Sequence, residues 1–328
     1  MTSLCFLGLI DLLKTAIQEF ARVSGLHPNL NKSQIFFGNV GVDTKRDISN
    51  LLNIPEGSLP VRYLGIPLIM ARLSHMDSKV LVDKLVSRTS SWISNSLSFG
   101  GRQQLIAYVL FSIQVFWCNT FMLPVAVTKE CDRILRGFFW HGVGTSKRGG
   151  KIVWSKVCRP MATRGLGFKD SRSWNWATII KIGWDIFRGK ESVWMNWCRV
   201  VRLKDNSFWA APVTKACSWS WRNILLSRRF LIPSVLYEVR DGNFFSLWYD
   251  PWVLGDSIIN RFGERVIYEL GIPRNALISN FISEGRWDWP TFSGDLIELS
   301  NITAAIPLPA GGDKVHWISS VISEGRWE

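Results

Sequence analysis

"SFGGRQQLIAYVLFSIQVFWCNTFMLP", residues 98–124, decides how this chain is built, because no charged side chain follows Arg102 until Lys129. The charge-free window from Gln103 to Thr128 holds 26 residues, and a bilayer core needs about 20 predominantly apolar ones. Length therefore permits a membrane span. Polarity argues against it: Gln103, Gln104, Ser112, Gln114, Asn119 and Thr120 interrupt the run, and in lipid each would need a partner. A helix that is apolar on all sides also occurs in the core of a large soluble protein. The buried helix is the reading adopted here, with a membrane anchor over residues 103–127 as the alternative.

The flanking segments read as further helices. Asp77 is placed to cap a helix whose face carries Val82, Leu85, Val86, Thr89, Trp92 and Ile93, which leaves Lys84 and Arg88, four apart, on another side. After residue 124, the apolar stripe Val127, Cys131, Ile134, Leu135 and Phe138 sets Lys129, Arg133 and Arg136 apart from it. Such basic faces are either ordinary solvated surface or contacts for a polyanion. Nearer the start, Leu9, Ile10, Leu13, Ile17 and Phe20 recur at helical spacing against a core, with Gly25 where a C-terminal cap is expected. "SQIFFGNVG" reads as a strand and turn, a short helix runs from about Asp47 to Leu52, and Pro60 and Pro67 bracket a strand-like run kept away from mid-sheet.

Beyond residue 140, "HGVGTSKRGGK" (141–151) combines four glycines with Lys147, Arg148 and Lys151. A phosphate-binding loop starting at Gly144 would require a lysine at position 150, where Gly150 stands. The segment is a basic loop, either touching a backbone or merely solvated. Twelve of the 18 tryptophans lie between Trp140 and Trp252; at helical spacing they read as core, with stacking on unpaired bases as the other possibility. "VLYEVRDGNFFSLWYD" reads as a hairpin turning at Asp241, Gly242 and Asn243, with Asp241 and Asp250 serving turns. The hexapeptide "ISEGRW" occurs at 282–287 and at 322–327, as a shared turn motif or a duplication.

Charge is unevenly divided. Residues 1–240 carry 33 Lys+Arg against 14 Asp+Glu, a net +19, while residues 241–328 carry 6 against 12, a net −6. A positive body of this size suits nucleic acid or an anionic membrane surface. Cys5, Cys118, Cys131, Cys158, Cys198 and Cys217 lie far apart, with no CxxC and no close pairing with His27, His75, His141 or His316. That excludes the usual zinc spacings, points to a reducing, intracellular compartment, nuclear or cytoplasmic, and implies neither metal nor other cofactor. No adjacent Asp-Asp pair, HExxH or GxSxG occurs, so no sequence motif supports catalysis.

Taken in order, "FARVSGLHPNLNKSQIFF", "VRYLGIPL", residues 92–124, "RGFFWHG", "IVWSKVCRPMATRGLGFKD" and "DGNFFSLWYDPW" resemble the C-terminal half of reverse transcriptases from plant LINE-type (non-LTR) retrotransposons, over roughly residues 6–290. The resemblance implies an α+β, predominantly helical fold: a partial polymerase palm (1–75), a helical thumb (76–140), a Trp-rich basic helical connector with a β-hairpin (141–254) and an acidic tail (255–328). It places Lys32 near an incoming nucleotide and Arg62, Tyr63 and Gly65 in a primer grip. Backbone contact would then fall to Lys84, Arg88, Arg102, Lys129, Arg133 and Arg136, together with Lys147, Arg148 and Lys151. In that family the aromatic-x-Asp-Asp metal-binding turn precedes this region, and a zinc-binding segment, often with ribonuclease H, follows it. The expectation is a non-catalytic fragment that binds RNA or DNA backbone without regard to sequence, with no small-molecule substrate and no membrane. A translated pseudogene product without function is the other alternative.

Overall fold

The computed structural model describes residues 2–38, 40–58, 61–68, 72–92, 97–142, 150–204 and 206–318, with residues 2–9 described by backbone alone. The chain divides into two compact units, Met1–Met70 and Ala71–Glu328. The described residues are mainly helical, with three two-stranded antiparallel sheets.

In the first unit, α1 (Thr2–Ser24) ends where Gly25, at φ +71°, donates its N–H to Ala21 O at 2.9 Å. The cap falls on the glycine because αL backbone costs it nothing. Over its described side chains the apolar stripe of α1 is mostly uncovered: Leu13, Ile17 and Phe20 are exposed, Ile10 is half-buried, and Ala21 alone is buried. Lys14 Nζ donates to Leu51 O at 2.9 Å, tying α1 to α2 (Val42–Leu52), which begins earlier than the sequence suggested. The expected strand at "SQIFF" is a single parallel bridge between Ile35 and Glu56. Residues 61–68 make a tight hairpin, β1 (Val61–Tyr63) with β2 (Ile66–Leu68), in which Val61 faces Leu68 and Tyr63 faces Ile66. Leu64 and Gly65 turn it with φ of 52° and 81°, the positive pair that a two-residue turn needs to match strand twist.

The second unit opens with α3 (His75–Ser91). Its cap is Ser74, whose hydroxyl accepts from Asp77 N at 3.1 Å while the Asp77 carboxylate accepts from Ser74 N at 2.9 Å. Asp77 therefore occupies the third helical position of a capping box instead of the cap itself. Residues 99–118 form one continuous helix in three parts: α4 (Phe99–Leu105), a π-helical turn (Ile106–Leu110) and α5 (Phe111–Cys118). At about 1.5 Å per residue it spans roughly 30 Å, yet it is packed among α3, α6 (Val125–His141) and α8 (Ser171–Phe187); the short α7 (Trp154–Val157) lies between α6 and α8 in sequence. Among the described residues no helix is long and apolar enough to cross a membrane.

Polar groups hold the end of this apolar helix. Asn175 on α8 donates through Nδ2 to Cys118 O (3.1 Å) and Phe121 O (2.8 Å) and accepts from Leu123 N at 2.8 Å. Thr178 Oγ1 donates to Cys118 O at 2.8 Å. The last carbonyls of a helix have no intrahelical partner, and here one buried amide satisfies the carbonyl of the final helical residue, a second three residues on, and the N–H that follows them.

The boundaries expected near residues 140 and 254 both fall inside the second unit. A single hydrophobic cluster joins Ile179, Ile186, Trp221 and Trp248 to Ile258, Ile278, Phe281, Trp289 and Leu299, so the acidic stretch contributes core. β3 (Val235–Glu238) does not double back as a hairpin. It pairs with β6 (Lys314–Trp317), Val235 opposite Trp317 and Glu238 opposite Lys314. The turn at 241–243 is present but serves another purpose. Asp313 accepts from Arg240 N (2.7 Å), Gly242 N (3.0 Å) and Phe244 N (3.0 Å), bending this loop around one carboxylate. Gly242 is needed there: its φ is +68°, and a Cβ would lie 2.5 Å from Ser279 N. The first "ISEGRW" copy is a two-residue hairpin, β4 (Ile282–Ser283) with β5 (Arg286–Trp287), turning on Glu284 and Gly285 at φ 50° and 72°; the second copy lies outside the described residues.

Hydrogen bonds to a charged group contribute about 1.5–3 kcal/mol each, and Asp313 is half-buried. Asp313→Ala is therefore expected to lower the unfolding free energy by about 2 kcal/mol in urea titration, and to speed amide exchange at Gly242 and Phe244. Unchanged exchange at those amides would show that the carboxylate does not hold the loop.

Candidate nucleic-acid interface

Two helices of the second unit bring a basic edge and an apolar wall together. On α3 the residues Ser78, Leu81, Leu85 and Thr89 are buried against the helices behind. Lys84 and Arg88 are left exposed beside that face, clear of the buried stripe as their spacing predicted. Facing them, Val109, Ser112, Ile113 and Phe116 of the continuous helix complete an open groove of about 560 Å³. The π turn shapes this wall. Phe111 N donates back to Ile106 O, enclosing one more residue than an α turn, between the buried pairs Ile106–Leu110 and Gln114–Trp117. Among the described residues neither Lys84 nor Arg88 takes part in an ion pair. The groove thus offers two cations on a flexible edge and an exposed ring, Phe116, on the other wall.

The remaining sequence candidates are dispersed. Lys32 is exposed in the 3₁₀ turn Leu30–Lys32, and on the β1–β2 hairpin Arg62 and Tyr63 are exposed and Gly65 half-buried; all four belong to the first unit. Arg102 is half-buried, its Nη1 donating to Phe139 O at 3.3 Å and its guanidinium 5.5 Å from the Phe99 ring centroid, so it fastens α4 to α6. On α6, Arg133 grips Glu130 with two bonds of 2.8 and 2.7 Å. That pairing holds the Glu130 carboxyl below its ordinary value. Lys129 is exposed and Arg136 half-buried. Lys151 is exposed, while Lys147 and Arg148 lie outside the described residues.

Behind the groove sits a buried polar cluster that sequence spacing could not reveal. Ser171 Oγ lies 2.7 Å from Gln114 Oε1 and 2.6 Å from Asp132 Oδ1, joining α5, α6 and the start of α8. A hydroxyl has one hydrogen to give. Burial pushes the Asp132 carboxyl up to about 7, against the opposing bond from Ser171. In its neutral form the acid donates to Ser171, which then donates to Gln114 Oε1, while Gln114 Nε2 stays buried without a partner. Once ionised, Asp132 claims the Ser171 hydrogen, and Gln114 is left without that donor. Burial likewise raises the thiols of Cys118 and Cys158, each to about 12, and pushes Cys131 higher still. Cys118 and Cys131 lie in the core and Cys158 is half-buried; burial favours the protonated thiol, the less reactive form. Asp250 is also raised to about 7 by burial and accepts from Ser246 N at 3.1 Å, consistent with the turn role read from sequence. Among the described residues no group of three or more His, Cys, Asp or Glu side chains could hold a metal ion.

No family model matches the chain. Over 201 residues it is 31% identical to an Arabidopsis thaliana protein named "Putative ribonuclease H protein At1g65750". The match takes in 59% of this chain and 32% of that protein, so the chain spans about a third of its relative's length. What the sequence could not show was the groove's apolar wall. Ser112 and Phe116 sit in a run that reads as core on every side, and only the packing of α3 shows which side stays open.

The Asp132 cluster has a definite pH dependence. Because its carboxyl is harder to ionise folded than unfolded, the native state holds the extra proton between pH about 4 and about 7, and stability falls as pH rises through that window. Asp132→Asn supplies an amide N–H that can donate to Ser171, as the neutral acid does, and cannot ionise. It is expected to raise Tm by several degrees at pH 8, with the gain shrinking to nothing near pH 4 in calorimetric scans. A gain independent of pH would contradict a buried acid.

Proposed function

We propose that this chain is a portion of a plant LINE-type retroelement polymerase, and that its helical region clasps nucleic-acid backbone without carrying the phosphoryl-transfer chemistry. In this reading residues 6–70 are the end of a palm and α3 to α6 a thumb. The observation that carries it is the groove between α3 and α5, edged by Lys84 and Arg88, with no acidic side chain among the described residues paired to either. The +19 balance of residues 1–240 supplies the long-range field that brings a polyanion to such an edge. The name of the Arabidopsis relative, a ribonuclease H protein, suits a retroelement polyprotein.

Backbone contact by lysine and arginine is indifferent to base sequence and releases counterions, so affinity falls steeply with salt. The metal-holding carboxylates of a palm have no counterpart in the sequence motifs here, which is why the reading is of grip without extension. Lys129 and Lys151, exposed in the same unit, extend the basic surface in this proposal.

A primer–template duplex is expected to bind the purified chain at low salt. The pair Lys84→Ala and Arg88→Ala should weaken it about tenfold and reduce the slope of log K against log salt by about two, one per lost phosphate contact. Both positions are exposed, so Tm should hold. Unchanged affinity and slope would remove the groove from the interface, and incorporation of a deoxynucleotide by the chain alone would overturn the non-catalytic reading.

A further inference from the structure

The helix that follows α8 is apolar on the side where water should select polar residues. Ser192 caps α9 (Val193–Trp197) by accepting from Met195 N at 3.2 Å, and a π-helical stretch, Cys198–Leu203, continues it. Met195, Cys198 and Leu203 enter the core cluster. On the other side Val193 is 89% exposed, Trp194 45%, Trp197 44% and Val201 49%. A surface helix ordinarily places charged residues there, and a contiguous exposed apolar stripe marks an interaction site.

The surroundings say what kind. Residues 188–204 carry five basic side chains, Arg188, Lys190, Arg199, Arg202 and Lys204, and one acidic one, Glu191. The Arg202 guanidinium stands 5.2 Å from the Trp197 ring centroid. Arg199 also walls an adjoining crevice of about 230 Å³, shared with Phe244 and Arg274. Indole faces interleaved with arginine are the chemistry by which unpaired bases are held: each base stacks on a ring while its phosphate meets a cation. Paired bases are covered by their neighbours and offer no free face, so a duplex has nothing to give these rings.

We propose that Trp194 and Trp197, flanked by Arg199 and Arg202, form a stacking platform for single-stranded nucleic acid, separate in sequence and in residues from the groove at Lys84 and Arg88. The proposal deepens the nucleic-acid reading of the chain but stands on its own surface. It assigns duplex to the α3–α5 groove and unpaired template or displaced strand to the α9 face.

The test uses the full chain, a labelled oligouridylate and a blunt duplex of equal length, read by fluorescence anisotropy at fixed low salt. Trp194→Ala with Trp197→Ala is expected to weaken oligouridylate at least about tenfold while leaving the duplex within about twofold, and Trp194→Phe with Trp197→Phe should restore most of the loss. Lys84→Ala with Arg88→Ala should do the reverse. If the alanine pair leaves oligouridylate binding unchanged, or weakens both ligands equally, the platform is refuted while the groove reading stands or falls on its own variants. A wild-type chain that binds neither ligand overturns both. Should the alanine pair alter the sedimentation mass of the chain and not its affinity for oligouridylate, the face is a protein interface and the proposal fails.

Discussion

The amide of Asn175 is the bond on which the arrangement of the second unit depends. A helix whose second half carries few polar side chains has a weak claim on any one rotation or depth, since apolar surfaces slide where hydrogen bonds do not. By taking Cys118 O, Phe121 O and Leu123 N at once, Asn175 fixes where the helix stops and which way the chain leaves it. Gln114 and Thr178 add two more polar anchors to the same pair of helices. Buried polar groups that find their partners favour one packing among many, and the bonds of Asn175 and Thr178 favour the packing that leaves Ser112 and Phe116 opposite Lys84 and Arg88.

Much of this organisation was legible beforehand. Period and capping placed α1, α3 and α6, with the buried face of α6 and part of that of α3, because helix signals are local: Gly25, an aspartate in the first turn of α3 and the Val127–Phe138 stripe lie within a few turns of what they determine. The failures share a cause. β3 finds its partner almost eighty residues away at β6, and nothing near "VLYEVRDGN" announces that the aspartate closing its loop is Asp313. The stripe on α1 was expected to be covered and mostly is not, since periodicity states which face is apolar and never what lies against it.

The candidate site divides in the same way. Lys84 and Arg88 could be read as outward-facing from their spacing, and they are. Arg102 and Arg133 could not be distinguished from them by sequence, because the carbonyl of Phe139 and the carboxylate of Glu130 that engage them are revealed by geometry alone. The tryptophans show the opposite error. Their number favoured core, correctly for Trp154, Trp221, Trp248 and Trp252, and this average concealed Trp194 and Trp197, which remain in water.

The π turn at Ile106–Leu110 has an effect on how this helix can change. It stores one residue of helical phase, about 100°, between the half that meets α6 and the half that faces the groove. Removing a single residue there would let the backbone relax to a regular α-helix while swinging Ser112 and Phe116 a quarter-turn away from Lys84 and Arg88. Substitutions along the helix act one side chain at a time. A one-residue deletion would rearrange the whole wall, so length in this segment is under tighter physical constraint than composition.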